Sequence, residues 1–296
     1  MGEGDACWVI ERGEDGWPPA LDELASPPDR VYGRGDPGAL LGPAISVVGA
    51  RHATPYGLAV AAMAGRVAAE CGVTVVSGGA MGCDHAAGMA ALAAGGVGVV
   101  VSGCGADVVY PESSRDVFEG TVASGGAVVS LERWGAPPRR WTFPKRNAVI
   151  AALAEVLVVT EAGPRSGTMS TADVAVELGR TIYAIPGSIF SPESVGTNRL
   201  IAEGARVIPD EQSLETAIAL DFGVARLGAQ RPRRGGGPVM SALLASPTRP
   251  DELATRLGAD VLTIMRTLTE FEARGMARRL PDGRYSPTEA YLLGHN

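Results

Sequence analysis

Cations and aromatic side chains alternate in the segment RRWTFPKRN, which begins at Arg139. Four cations fall within eight residues there, and Trp141 and Phe143 stand between them. Basic side chains neutralise phosphates and bases stack on aromatic rings, so this combination indicates a single-stranded nucleic acid as ligand. The alternative is that both rings belong to the core and the cations form a solvated edge. The four cations are Arg139, Arg140, Lys145 and Arg146, and Lys145 is the only lysine of the chain.

A second polar segment, EAGPRSGTMST, follows the apolar run Val156 to Val159. The run predicts a buried strand, and the residues from Thr168 to Leu178 are compatible with a helix. A helix that begins there directs free backbone N–H groups and the positive end of its dipole at whatever lies above the strand. Arg165 would add its charge, so the segment predicts an anion site with phosphate as the expected occupant.

Arg51 is a candidate for the same site, because it comes directly after the apolar run ISVVGA. Thr54 and Pro55 then suit the N-cap and the first position of a helix from Tyr56 to Glu70. Arg51 would therefore project from the end of a strand. A solvated or ion-paired arginine at a turn is the alternative.

A glycine-rich turn, with Gly78 and Gly79, follows the run VTVVSG and is a further candidate. Asp84 is positioned to cap the helix that comes next. Close packing of a strand on a helix would also require small residues here, so the turn alone is weak support for a binding site.

Seven short apolar runs lie between residues 44 and 220 and alternate with helix-compatible stretches. These runs must position the candidate binding residues. Continuous apolar strands indicate a sheet that is covered on both faces, so the sequence predicts an α/β fold with a doubly wound, mostly parallel sheet. Ligands of such sheets bind beyond the carboxyl ends of the strands. The seven runs are ISVVGA, VTVVSG, VGVVVSG, AVVSLE, VLVVT, TIYAIPG and ARVI.

The chain divides by composition into four parts. Residues 1–43 are rich in Pro, Gly and Asp and predict an extended lead-in with little core of its own. Residues 44–222 form the α/β domain, and the Arg- and Gly-rich residues 223–237 predict a flexible linker. Residues 238–296 show three helical patterns followed by a hairpin signal, which predicts a small C-terminal winged-helix domain.

The third helix of that module is predicted to line its core with Leu262, Met265, Leu268 and Phe271, while Arg266 faces outward. Acidic residues along this helix make it a poor phosphate surface, so protein contacts are as plausible as DNA contacts. Secondary DNA contacts are assigned to three arginines of the wing, Arg278, Arg279 and Arg284.

Charge, apolar runs and cysteine spacing limit the possible ligands and the location of the protein in the cell. The net charge is −7, yet residues 231–296 hold ten arginines against seven acidic residues. No secretory signal and no membrane-length apolar run is found, so we expect a cytoplasmic protein without a membrane anchor. We expect neither a metal nor a cofactor, since the four cysteines lack metal-like or disulfide-like spacing. They are Cys7, Cys71, Cys83 and Cys104.

The order of the motifs from Trp17 to Ile208 resembles the family of the DNA-processing protein DprA, also called Smf. The motifs are WPPALDEL, VVGAR, SGGAMGCDHAA, FPKRN, RSGTMSTA, AIPGS and SVGTNRLIAEGA. The resemblance implies an extended Rossmann-like domain, a homodimer and binding of single-stranded DNA with little sequence preference. It further implies protection of incoming DNA and loading of the recombinase RecA during natural transformation, without catalytic turnover.

The resemblance also implies DNA-contacting residues, and Phe143 is a possible stacking platform among them. The matching positions are Arg51, Lys145, Arg146, Asn147, Arg165, Ser166, Gly167, Thr168, Asn198 and Arg199. Two cations usual in the family are replaced by Met81 and Ala148, and its usual histidine is Gly88. We expect the two missing cations to weaken phosphate binding and its salt dependence.

Two other functions are open for the same site. Related phosphoribohydrolases that act on nucleoside monophosphates carry Pro-Gly-Gly-x-Gly-Thr-x-x-Glu, in which the Glu is catalytic. Gly167 and Thr168 match that Gly-Thr pair, but Thr171 stands at the position of the Glu, which disfavours hydrolysis. Glu161 and Glu177 are the remaining acids nearby. The other alternative is a nucleotide-binding sensor, which would respond less to salt than a DNA-binding protein.

Overall fold

A computed structural model describes residues 7–164, 166–226 and 237–293 of the chain. The chain divides into two compact units, and their boundary in the C-terminal half lies between residues 229 and 230. Arg165 and most of the expected linker, residues 227–236, lie outside the described residues. The two units are therefore described separately.

The large unit is built on a nine-stranded sheet, which confirms the predicted α/β class. Its strand order is β1-β2-β6-β5-β4-β3-β7-β8-β9, and the strands from β3 to β9 run parallel. The seven predicted apolar runs supply these seven strands. The strands are β1 (Cys7–Glu11), β2 (Arg30–Gly35), β3 (Ala44–Val48), β4 (Thr74–Ser77), β5 (Gly98–Ser102), β6 (Ala127–Ser130), β7 (Val156–Val159), β8 (Thr181–Ala184) and β9 (Arg206–Val207).

Helices cover both faces of the sheet, so its central strands are buried along their whole length. Successive residues of a strand point to opposite faces. Val47 and Val48 accordingly belong to two different apolar clusters, one on each face. The helices are α1 (Pro55–Glu70), α2 (Cys83–Ala93), α3 (Arg115–Ala123), α4 (Thr142–Ala152), α5 (Gly167–Glu177), α6 (Val195–Ala202) and α7 (Glu211–Phe222).

The N-terminal lead-in differs from its prediction. From Cys7 onward it contributes β1 and β2, which extend the sheet antiparallel beside β6. Val31 is completely buried in the main core, and Leu21 is 1% exposed there. The segment from Cys7 onward therefore shares the core of the large unit and has no separate core.

The end of the large unit also lies later than predicted. Arg226, inside the expected linker, is bound by the carboxylates of Glu70, Glu211 and Glu215. Its side chain is 1% exposed. Three carboxylates around one guanidinium fix residues up to 226 to the large unit.

The small unit has the predicted winged-helix arrangement of three helices and a two-stranded wing. Its apolar core includes Leu243, Leu253, Ile264 and Leu268. The antiparallel wing strands pair Ala277 with Pro287 and Arg279 with Tyr285. The elements are α8 (Gly237–Ala245), α9 (Pro250–Leu257), α10 (Val261–Ala273), β10 (Ala277–Arg279), β11 (Tyr285–Pro287) and α11 (Glu289–Leu293).

The buried face of α10 is rotated relative to its prediction. Ile264, Leu268 and Phe271 are buried, whereas Leu262 is 70% exposed and Met265 is 38% exposed. The expected core positions of Leu262 and Met265 are therefore wrong. A spacing of four and then three residues, from Ile264 to Phe271, places the buried side chains on one face.

No helix in the described ranges has both the length and the apolar character needed to cross a membrane.

Candidate functional site

The order of strands across the sheet reverses beside β3, which pairs with β4 on one side and β7 on the other. Ligands of open α/β sheets bind in the crevice at such a point. The loops after β3 and β7 are joined here, because Thr168 Oγ1 donates to the carbonyl of Gly49 at 2.9 Å. Thr160 Oγ1 donates to the carbonyl of Val48 at 3.2 Å. The start of α5 is thereby fixed beside Arg51.

The motif FPKRN forms the first turns of α4, and that helix begins beside the end of β5. Thr142 Oγ1 donates to the carbonyls of Gly103 at 2.5 Å and Arg139 at 2.7 Å. Phe143 packs closely on the same turn, since a Cβ atom at Gly103 would lie 2.7 Å from its ring. The partly buried ring of Phe143 is thus held at the carboxyl edge of the sheet.

Two guanidinium groups lie against the ring of Phe143. The Cζ atoms of Arg51 and Arg146 are 5.4 Å and 5.8 Å from its centroid, within the range of cation–π contacts. The ring of Tyr110 lies 5.9 Å away at a tilt of 47°. A cleft of about 60 Å³ opens between these side chains, and we call it the arginine cleft. It is lined by Arg51, Ala80, Met81, Tyr110, Pro111, Phe143 and Arg146.

Arg146 is the buried cation of this cleft, with 6% of its surface exposed. Its Nη1 lies 3.9 Å from Asp84 Oδ2, and its Nε has no hydrogen-bond partner within the part of the chain that the structure describes. Burial lowers the pKa of Arg146, while the neighbouring Asp84 opposes that shift. A Cβ atom at Gly78 would overlap Nη1 of Arg146, so a larger residue here would displace this guanidinium group.

Asp84 was predicted to cap α2, but the structure shows that Gly82 is the N-cap and that Asp84 has another role. Its buried carboxylate accepts hydrogen bonds from the N–H groups of Gly78 at 3.1 Å and Ala80 at 3.4 Å. Burial raises the pKa of Asp84, and Arg146 and the two N–H groups lower it. Asp84 therefore fixes the turn after β4 and partly neutralises Arg146.

Two further cations, Arg51 in the cleft and Lys145 beside it on α4, give this region a positive balance. Arg51 is exposed, and in the described ranges no carboxylate lies within salt-bridge distance of it. Lys145 is exposed on α4, one residue before Arg146, and likewise has no such partner there. Three cations with one buried carboxylate favour an anionic ligand.

The N-terminus of α5 lies next to α4. Ser166 caps α5, since its Oγ accepts a hydrogen bond from the N–H of Thr168 at 3.2 Å. Asn147 Nδ2 donates to the carbonyl of Gly167 at 3.4 Å and to Ser170 Oγ at 3.3 Å. The structure therefore brings together most of the predicted residues. They are Arg51, Gly78, Phe143, Lys145, Arg146, Asn147, Ser166, Gly167 and Thr168.

Other predicted residues have different surroundings. Asn198 binds the backbone N–H and carbonyl of Gly187 at 3.2 and 3.1 Å, which fixes the loop after β8. Arg199 is exposed and pairs with Glu203 at 2.7 Å. Gly79 has a φ of +63°, and a Cβ atom there would clash with Phe118, so backbone geometry and packing account for this glycine.

Arg139 and Arg140 precede α4 and are exposed. The guanidinium of Arg139 lies over the ring of Trp141, 5.4 Å from its centroid. The core alternative for Trp141 is excluded, because this side chain is 61% exposed.

The wing arginines belong to the small unit. Arg284 Nε pairs with Asp282 at 2.6 Å, and the backbone N–H of Arg279 donates to Glu272 at 3.2 Å. Arg278 is exposed on β10. Carboxylates thus lie close to two of these three residues.

Sequence reasoning missed Tyr110 as part of the cleft. It follows β5 in the segment ADVVYP, and an aromatic residue after an apolar strand could have indicated it. Met81, which replaces a cation usual in the resembled family, lines the cleft and is 38% exposed. Ala148 lies partly buried on α4.

Known proteins resemble this chain in sequence and in fold. The family model of DNA recombination-mediator protein A matches residues 8–219, and that of the DprA winged helix domain matches residues 234–283. The chain is 31% identical to Protein Smf of Escherichia coli over 95% of its own length and 79% of that protein.

Two solved structures are similar. The DNA processing protein A of Streptococcus pneumoniae has 35% identity and a TM-score of 0.65, covering 70% of this chain and 72% of that one. The DNA processing protein A of Helicobacter pylori, for which a single-stranded DNA binding mode is described, has 30% identity and a TM-score of 0.66. That match covers 75% of this chain and 99% of the other. The chain therefore belongs to the DNA recombination-mediator protein A family, known as DprA or Smf.

Proposed function

We propose that this protein binds single-stranded DNA at the arginine cleft. The observation that carries the proposal is the contact of Arg51 and Arg146 with one partly exposed aromatic ring, Phe143. Cations next to an aromatic face serve a phosphate and its neighbouring base together. The N-terminus of α5 adds backbone N–H groups on the adjoining side. The relative from Helicobacter pylori binds single-stranded DNA, which supports the same ligand here.

The size of the cleft favours a DNA strand over a small nucleotide. Sites that enclose a small molecule usually measure about 300–1,000 Å³. The arginine cleft, at about 60 Å³, has room for little more than one phosphate or the edge of a base. A chain that passes over the cleft fits this geometry better than an enclosed mononucleotide, so the sensor and phosphoribohydrolase functions are disfavoured.

A non-enzymatic role has further support from the residues around the crevice. Thr171, at the position of the catalytic Glu of the phosphoribohydrolases, is 2% exposed and carries no carboxylate. Burial raises the pKa of Cys83 to about 12, so its thiol stays protonated and is a poor nucleophile at neutral pH. Glu161 is buried. Release of base from a nucleoside monophosphate by the wild type, but not by Glu161→Gln, would contradict this role.

Assembly with a second copy and with RecA belongs to the same proposal. Family membership is the support for loading of RecA during natural transformation. A homodimer has support in the edge of the sheet, where Val207 on β9 is 45% exposed and Leu220 on α7 is 75% exposed. Exposed strand edges are usually covered in native proteins. Sedimentation over a range of protein concentrations tests the dimer.

The central experiment reverses the charge of Arg51, which lines the cleft, or of Lys145, which precedes the cleft residue Arg146. Arg51→Glu or Lys145→Glu should abolish the gel shift of an oligo-dT, because each change repels the phosphates that the wild type attracts. The melting temperature should stay nearly unchanged, since both side chains are exposed. Arg115→Glu, the same change at an arginine that two carboxylates surround, is the matched control.

Salt and oligonucleotide length separate the alternatives. Affinity for DNA should fall steeply with salt and should require several nucleotides. Full binding by both charge-reversal variants would contradict the site, and saturation by a mononucleotide with little salt dependence would favour a sensor.

A further inference from the structure

A second concave surface lies beyond the end of β6 and contains the same kinds of side chain as the arginine cleft. It has a volume of about 810 Å³, and we call it the outer groove. Its relevant lining residues are Arg30, Tyr32, Arg133, Trp134 and Arg139. The predicted site included only Arg139 of these.

The outer groove opens on the same edge of the sheet as the cleft. Tyr32 of β2 pairs antiparallel with Ser130, the last residue of β6, so both lie at the carboxyl end of β6. β6 is parallel to β5, and Phe143 packs on the turn after β5. A ligand can therefore run along the edge from the loop after β3 to the groove beyond β6, about 14 Å at three strand spacings.

The lining of the groove includes three arginines and the two carboxylates of Asp29 and Glu132, so its balance is positive by one charge. Arg30 is paired loosely with Glu11 at 3.4 Å. For Arg133 and Arg139, no carboxylate of residues 7–164, 166–226 or 237–293 lies within salt-bridge distance. Two guanidinium groups are thus available to an anionic ligand.

Aromatic rings accompany these cations. Tyr32 and Trp134 form an edge-to-face pair with centroids 5.6 Å apart and an interplanar angle of 84°. Trp141 lies under the guanidinium of Arg139 and is 61% exposed, which leaves area for a base to stack. Exposed aromatic rings beside arginines are typical of surfaces that bind single strands without sequence preference.

The loop that carries Arg133 and Trp134 is held in place before any ligand arrives. The carboxylate of Asp107 accepts the N–H of Gly135 at 2.9 and 3.0 Å. The N–H of Gly105 donates to the carbonyl of Ala136 at 2.9 Å. A fixed loop loses little conformational entropy on binding, so its arginines are pre-organised for a ligand.

We propose that the outer groove binds the nucleotides of a single DNA strand that extend beyond the arginine cleft, with Arg133 and Arg139 on phosphates and Trp141 against a base. This inference rests on the proposed function of the cleft. Bases of a stacked strand are about 3.4 Å apart, so the 14 Å path corresponds to about four nucleotides. Short oligonucleotides fill the cleft alone, and longer ones reach the groove.

The test measures affinity against oligonucleotide length for the wild type, two variants and one control. The double variant Arg133→Gln/Arg139→Gln should bind dT4 as the wild type does and bind dT15 about tenfold more weakly. Its slope of log affinity against log salt should fall by about 1.4, since each phosphate contact of a single strand contributes about 0.7. Trp141→Ala should give a loss of about tenfold on dT15 alone, in the range for one stacked base.

Arg115→Gln is the control, because it removes one positive charge at an arginine already paired with Glu112. If this control weakened oligonucleotide binding equally, the effect would be one of overall charge, and the proposal for the groove would be overturned. Equal affinity of the double variant and the wild type at every length would also overturn it, while leaving the cleft intact. A wild type that binds no oligonucleotide would overturn both proposals.

Discussion

The arginine cleft of the large unit and the wing of the small unit use the same side chain in opposite surroundings. In the cleft, Arg146 is buried with a loose 3.9 Å contact to Asp84 and faces an aromatic ring. In the wing, Arg284 is exposed and already pairs with Asp282 at 2.6 Å. An arginine can hold a phosphate when nearby carboxylates leave its charge free. Its presence in the sequence is not sufficient.

The two regions also differ in how they are assembled. The cleft joins Arg51, Ala80 and Tyr110 from three separate loops with Phe143 from the first turn of α4. The wing is a hairpin whose strands are joined by a short turn between Arg279 and Tyr285. Local sequence therefore specifies the wing directly, whereas the cleft exists only after the sheet has formed.

The third helix of the small unit reinforces the contrast. Leu262 and Met265 are exposed on α10, next to Arg266 and Glu270. An apolar stripe on this helix suits a protein surface better than a phosphate backbone. We therefore expect the small unit to contribute less to DNA affinity than the cleft does.

The largest expected difference between the cleft and the wing is the loss of stability when an arginine is replaced. Arg146→Met should lower the free energy of unfolding by about 3 kcal/mol, since it leaves the buried carboxylate of Asp84 without its cation. The low end of the usual range applies because two backbone N–H groups still bind Asp84. Arg284→Met in the wing should leave the melting temperature nearly unchanged, because its ion pair is exposed. Thermal and urea unfolding measure both.

The pH dependence of Arg146→Met identifies the cause of its loss. Burial already raises the pKa of Asp84 in the folded protein, and removal of Arg146 raises it further. A raised carboxyl pKa adds stability below the unfolded pKa of about 4, and that stability is lost as the pH rises through the folded pKa. The gap in stability between wild type and variant should therefore be constant at low pH and widen as the pH rises above the folded pKa of Asp84 in the wild type, which lies above the unfolded value. A gap that stays constant over the whole pH range would assign the loss to packing instead.

An intermediate effect is expected for the aromatic ring of the cleft. Phe143→Leu should reduce affinity for oligo-dT about tenfold, because it removes base stacking and the ring that both arginines contact. The exposed Leu262→Ala in the small unit is the matched apolar change and should leave the affinity unaltered. Fluorescence anisotropy with labelled oligonucleotide measures both. A larger loss of affinity in Leu262→Ala than in Phe143→Leu would show that the small unit contributes more to DNA binding than the cleft does.

The smallest expected difference compares two helix N-caps. Ser166 caps α5 in the large unit, and Asp260 caps α10 in the small unit by accepting the N–H of Thr263 at 3.1 Å. Replacement of either by Ala should cost about 1 kcal/mol of stability in its own unit. Only Ser166→Ala should also weaken DNA binding severalfold, which unfolding and anisotropy measurements together can show. A similar loss of affinity in Asp260→Ala would place DNA at the small unit as well.

Local sequence was sufficient for much of the fold. Seven apolar runs gave seven parallel strands in the expected positions, because the central strands are buried on both faces and are therefore apolar along most of their length. The three helices and the hairpin of the small unit followed from periodicity and a Pro-Asp-Gly turn. The exceptions lie where local pattern is weak: β1 and β2 are antiparallel and partly exposed, and the buried face of α10 is rotated.

The chemical composition of the candidate site was also visible in the sequence, since Arg51, the FPKRN motif and the turn at Ser166 each follow an apolar run. Only the tertiary structure decided which of these residues meet. Nothing local to Gly78, Asp84 or Arg146 indicates that they pack together after β4. The physical reason is that apolar periodicity depends on neighbouring residues, whereas the burial and pairing of a charge depend on loops far apart in the chain.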